Sequence, residues 1–221
     1  MVRALIVART KMSSRVCVGA ISSTGQRLRL LNHLGHPQEA NCPFQIGQVY
    51  DLNYRNVDLQ RPPHVEDVCV TSFSYAGKEE NLYEFLQQSV ACAKSPGQLF
   101  EGFLRRTING TLYIAEKTGI PAYSTAMWHS DRPLRHVLFR QRAKYSWLEG
   151  NSYASVPFVG FQEPVAEIPA GALVRLSLAR WWRPEEQTEL ELRCYLQVSG
   201  WFWGRSNGQG SSSDSFSDVS P

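Results

Sequence analysis

Long apolar runs are absent from this chain. No hydrophobic segment approaches the roughly 20 consecutive residues that span a bilayer. The opening MVRALIVART is apolar over too few positions for a secretory signal, and Arg9 interrupts it. Cysteine is sparse: Cys17, Cys42, Cys69, Cys92 and Cys194 are an odd five, with no CxxC spacing among them. Widely separated thiols inside apolar runs behave as small buried hydrophobes kept reduced, which points to the cytoplasm and argues against a disulfide scaffold. Metal ligands are also few. His33, His36 and Cys42 lie in HLGHPQEANC, but a structural zinc site wants four ligands in paired spacings, so no metal and no cofactor is expected.

Catalytic signatures are missing too. The chain has no GxxxxGK[ST] phosphate loop, no GxGxxG after a strand and no GxSxG elbow. Glu185, Glu186, Glu189 and Glu191 cluster without a partnered His or Lys, and His129 beside Asp131 lacks a nucleophile. No catalytic residue is assigned, and a binding protein is expected rather than an enzyme. A nuclease built from distant carboxylates is the weakest alternative.

What the chain does have is β pattern and local positive charge. Apolar residues make up 43% and aromatics 11% of 221 residues, at a formal net charge of +3. Lys and Arg outnumber Asp and Glu by 8 to 5 through residue 77 and by 10 to 7 over residues 78–150. The order reverses, 5 to 8, from residue 151. Short strands are read at 3–9, 16–21, 27–31, 49–57 and 68–75, a strand count that suits a small closed barrel of the OB or SH3-like kind. Over 78–94 the apolar period switches to three and four (Leu82, Phe85, Leu86, Ser89, Val90), which predicts an amphipathic helix. A second short helix around Leu99–Leu104 ends at Asn109-Gly110, and β pattern then returns. The division expected is an N-terminal barrel over 1–77, a helical connector over 78–110 and a C-terminal barrel over 111–203. The Gly/Ser-rich residues 204–221 are expected to be disordered.

Two stretches carry candidate ligand chemistry. In ALVRLSLARWW…LELRCYLQVSGWF, parity puts Val174, Leu176, Leu178, Cys194, Leu196 and Val198 on a buried face. The opposite face carries Arg175, Trp181, Arg193 and Tyr195. Cations and flat rings on one sheet face suit a single-stranded nucleic acid; the alternative is that this face packs under another element. In RPLRHVLFRQRAK, Arg132, Arg135, Arg140, Arg142 and Lys144 occur with no acid, flanked by Trp128 and Tyr145. On one strand, Arg140, Arg142 and Lys144 share a face at about 7 Å intervals, which matches a row of phosphates; edge protection is the alternative reading. Arg27 and Arg29 add a lesser patch on the first unit.

ALIVARTKMSSRVCVGAI with RLRLLN, a middle helix, and the terminal VRLSLARWW…LRCYLQVSGWF hairpin together resemble the prokaryotic dual OB-fold (dual OB-containing domain) proteins over about residues 3–203. The resemblance implies two OB-like barrels and a nucleic-acid or nucleotide ligand, in a family associated with genome (antiviral) defence. It carries no catalytic motif. The expected function is therefore non-catalytic binding of single-stranded DNA or RNA through cationic grooves and aromatic stacking, as a cytoplasmic subunit of a larger protein or ribonucleoprotein assembly. An adaptor or sensor that binds a protein partner or a nucleotide signal is the competing expectation.

Overall fold

The computed structural model describes residues 1–204; the tail expected to be disordered, apart from Gly204, lies outside the described residues. Sixteen strands follow in order: β1 (Val2–Met12), β2 (Arg15–Ser22), β3 (Arg27–Leu31), β4 (Gln38–Glu39), β5 (Gln48–Asn56), β6 (Asp67–Lys78), β7 (Cys92–Ala93), β8 (Arg105–Arg106), β9 (Leu112–Ala115), β10 (Thr125–His129), β11 (Leu134–Phe139), β12 (Arg142–Glu149), β13 (Ser152–Pro157), β14 (Glu167–Ile168), β15 (Leu173–Leu178) and β16 (Arg193–Phe202). No helix among the described residues is long and apolar enough to cross a membrane.

The first unit is a closed five-strand barrel. Its order is β1-β5-β6-β3-β2, β1 pairs back onto β2, and β3 runs parallel to β6. The run RALIVA does not alternate because both of its faces are covered. Ala4 and Ile6 enter the barrel core with Val18, Leu30, Phe44 and Leu52, while Leu5 and Val7 join a separate cluster outside it.

The second unit is a half-barrel of two sheets, β7-β10-β15-β16-β9-β8 and β13-β12-β11-β14. The two sheets meet through isolated parallel bridges, Thr111 to Ser155 of β13 and, just past β13, Phe158 to Val198 of β16, with the Val159 N–H donating to the Val198 carbonyl at 3.0 Å. Its core holds Trp128, Tyr145, Trp147, Val174, Leu176, Cys194, Leu196 and Val198. The apolar parity of the terminal hairpin is therefore realised.

The helical insert is not. One helix, α1 (Leu82–Ser89), has the expected apolar period and stops after eight residues. Cys92 and Ala93 are drawn into the second unit beside Met127 and Trp128. Pro96–Gly102 is a broken 3-10 segment in which Leu99 is extended and Phe100 and Glu101 are left-handed, at φ 49° and 58°. Sheet pairing overrides local helical period here, because neighbouring strands offer backbone partners that two helical turns cannot match.

The two units share an apolar seam and several polar ties. Leu5, Val7 and Ile21 of the barrel meet Leu86, Val90, Met127, Leu173 and Phe202. The buried Glu66 carboxylate accepts from the Ser124 and Thr125 N–H groups at 2.6 and 3.1 Å and from the Ser124 hydroxyl at 2.7 Å. Asp67 is ion-paired to Arg29 of its own barrel and, at 2.7 Å, to Arg180 of the other unit.

Candidate nucleic-acid interface

The basic run folds into a hairpin rather than one strand. β11 and β12 pair with Phe139 opposite Arg142, so Arg140 and Gln141 alone form the turn, at φ 49° and 61°. Positive φ at both central residues is the two-residue hairpin geometry that Asn-Gly adopts most easily. The ladder then sorts the side chains. His136, Tyr145, Trp147, Ala154 and Val156 lie on the core side, while Arg135, Val137, Phe139, Arg142, Lys144, Ser146, Leu148 and Tyr153 lie on the outer face.

That outer face has both components a single strand needs. Phe139 and Tyr153 expose 52% and 68% of their surface, unusual for rings of this size. Lys144 Nζ sits 4.5 Å from the centre of the Phe139 ring and the Arg140 guanidinium 5.4 Å from it. Arg140, Arg142 and Lys144 make no ion pair among the described residues. Arg135, at the far end, reaches Glu167 at 3.6 Å.

The other expected residues are dispersed. Trp128 and Tyr145 are fully buried in the second core, Tyr145 with its hydroxyl donating to the Val165 carbonyl at 3.0 Å, so neither offers a face to a base. Arg140 sits in the turn, out of line with Arg142 and Lys144, because the strand breaks there. Arg132 turns back onto Asp131, whose carboxyl that hydrogen bond holds below its usual range, and donates to the Leu148 carbonyl. Arg27 lies over the Tyr123 ring at 5.1 Å, and Arg29 is held by Asp67.

The hairpin face expected to carry Arg175, Trp181, Arg193 and Tyr195 together is split. Arg175 is buried against the closed barrel, over Gly19, where any Cβ would overlap its guanidinium. Trp181 packs on the second core and donates its indole N–H to the Pro62 carbonyl at 2.8 Å. Regular pairing ends at Leu178 opposite Leu196 and resumes with Trp182 opposite Arg193, a register one residue out. That slip turns Trp182 rather than Trp181 outward. Tyr195 accordingly sits between Tyr113 and Trp182, at 6.0 and 6.1 Å, with Arg193 over Tyr113 at 4.3 Å.

Sequence reasoning missed Phe139, Tyr153 and Trp182. A two-residue turn at Arg140-Gln141, had it been read, would have put Phe139 across from Arg142. His33, His36 and Cys42 do not converge: Cys42 is in the barrel core, and among the described residues no three His, Cys, Asp or Glu side chains are grouped for a metal.

A closed five-strand barrel fused to a half-barrel is, in class, a dual OB-type fold. The chain matches the dual OB-containing domain family over residues 2–201 and belongs to it. No curated protein matches it.

Proposed function

We propose that this protein is a non-catalytic module that binds single-stranded nucleic acid on the outer face of β11, β12 and β13. OB folds commonly take oligonucleotides on strands two and three and on the loops joining strands one to two and four to five. Read as a second OB barrel, the half-barrel has β12 and β13 as strands two and three, with the Arg140-Gln141 turn as the first of those loops. In the closed barrel the equivalent face, carrying Gly19 and Arg29, is covered by the second unit. The observation that carries the proposal is the pairing of unpaired cations Arg140, Arg142 and Lys144 with the exposed rings of Phe139 and Tyr153. The strained turn fits it as well, since non-glycine residues in left-handed conformations concentrate at working sites.

Replacement of Phe139 or Tyr153 by Ala lowers affinity for a short single strand by about 1–3 kcal/mol each, the range for one stacked base, whereas Tyr at 139 retains most of it. Fluorescence anisotropy reads this directly. The exposed Leu148 on the same face and Leu138 at the tip favour a second reading, a protein partner. Binding that Phe139→Ala weakens but that ignores salt would favour that reading, because phosphate contacts weaken with salt and apolar ones do not.

A further inference from the structure

A cavity of about 270 Å³ lies between the closed barrel and the half-barrel, and four cations stand on its otherwise neutral lining. Lys11 and Arg29 line it from the barrel, and Arg175 and Arg180 from the other unit, with Ser177 and Gln197 as neutral polar neighbours. No carboxylate is on its lining. Asp67 stands behind it, shared between Arg29 and Arg180, and Glu66 is turned onto Ser124 and Thr125.

Arg175 is buried and Arg29 largely so, each with a donor to spare. Arg175 is only 7% exposed, and its one side-chain partner is neutral: Nη1 donates to the Ser199 hydroxyl at 2.8 Å. Among the described residues it has no ion pair, and burial pushes its pKa down to about 10. Arg29 Nη2 is buried and has no acceptor at all. A buried guanidinium without a direct ion pair is costly, and the Glu66 carboxylate that opposes the Arg175 charge from a distance is already engaged by Ser124 and Thr125. The β-bulge at Ser199 and the bare backbone of Gly19 give the Arg175 guanidinium its place, so the charge is built in rather than incidental.

We propose that this inter-unit cavity binds a small phosphomonoester, its phosphate held between Arg175 and Arg29 and reached from the rim by Lys11. Guanidinium forks match phosphate oxygens in pairs, and those oxygens would supply acceptors for the free Arg175 donors and for Arg29 Nη2. The volume is just below the roughly 300 Å³ at which small-molecule sites begin, which admits a phosphate with one modest attached group and excludes a polymer. This site is separate from the strand face of β11–β13 and does not depend on it.

The test is thermal melting of the full chain with inorganic phosphate and with a nucleoside 5′-monophosphate, against sodium chloride at matched ionic strength. Ligand at about a hundred times its dissociation constant raises Tm by on the order of 5 °C or more. A gain with the monophosphate well above that with phosphate identifies the attached group as part of the ligand; equal gains identify the free anion. Arg175→Met is expected to melt no lower than the parent without ligand, since it removes a buried charge without a direct ion pair, and to lose the gain. Lys11→Ala, at the exposed rim, keeps the fold and weakens binding about tenfold. Arg142→Ala, on the other face, leaves the gain intact. A parent gain no larger than that from chloride, or an undiminished gain in Lys11→Ala and Arg175→Met, would overturn the proposal. If Arg175→Met fails to fold, the Lys11→Ala result decides.

Discussion

Replacing Glu66 by Ala tests how firmly the two units are joined. The substitution removes the acceptor for the backbone N–H groups of Ser124 and Thr125 and for the Ser124 hydroxyl, all buried at the interface. Hydrogen bonds to a charged acceptor contribute about 1.5–3 kcal/mol each, but they are not additive around one carboxylate. Each buried donor left without an acceptor costs about 1–3 kcal/mol, so for these three together about 3–5 kcal/mol is expected once non-additivity is allowed for. For a chain of this size that lowers Tm by on the order of 10 °C. Glu66→Gln keeps an oxygen for the two N–H groups, and its loss is expected to be roughly half as large. Scanning calorimetry with both variants reads the pair. A Glu66→Ala Tm within about 2 °C of the parent would mean that solvent satisfies these donors and that the tie contributes nothing.

Two further outcomes follow from the same interface. His64 is buried, and desolvation, with Arg29 and Arg180 nearby, pushes its pKa down to about 3. The unfolded chain therefore takes up a proton near pH 6.5 that the folded chain refuses until about 3, so stability is lost as the pH is lowered through that window, by up to about 1.4 kcal/mol per unit. Urea unfolding from pH 7 to 4 should show this fall, and His64→Gln should flatten it; a parallel slope in the variant would remove His64 as its source. Trp181→Ala is expected to cost about 3 kcal/mol through lost packing and the lost bond to Pro62, while Trp182→Ala stays within about 0.5 kcal/mol. Denaturant midpoints in the reverse order would contradict the register slip after Leu178.

Strands were legible wherever one residue's burial follows from its neighbour's. The parity of Val174, Leu176 and Leu178 and of Cys194, Leu196 and Val198 gives their shared core directly, and the five strands of the first barrel stand close to where their apolar runs place them. Parity fails where the chain breaks register without the usual marks. Arg140-Gln141 turns with no glycine or asparagine, and Ala179–Trp182 slips by one residue with nothing in the sequence to announce it. Those two breaks decide which cations and rings share a surface, so the site was less legible than the fold. Burial of Arg175 was invisible for another reason: its cover is Gly19, more than 150 residues away. Trp128 and Tyr145 looked like brackets to a basic run, but the pairing of β10 with β15 turns the first into the core and the ladder from β11 to β13 turns in the second.

The central claim is that the outer face of β11–β13 meets phosphate. The direct measurement is the salt dependence of single-strand binding by the parent and by Arg142→Ala/Lys144→Ala, with melting recorded for each. If both cations meet phosphate, the double variant binds more weakly, and its slope of log K against log salt is shallower by about 1.4, or about 0.7 per single-strand contact. Its Tm should not move, since both side chains stand clear of the core. Unchanged affinity and slope in a folded double variant would contradict the account and leave these cations as solvated charge on an exposed sheet face; β12, paired on both sides, has no free edge for them to protect.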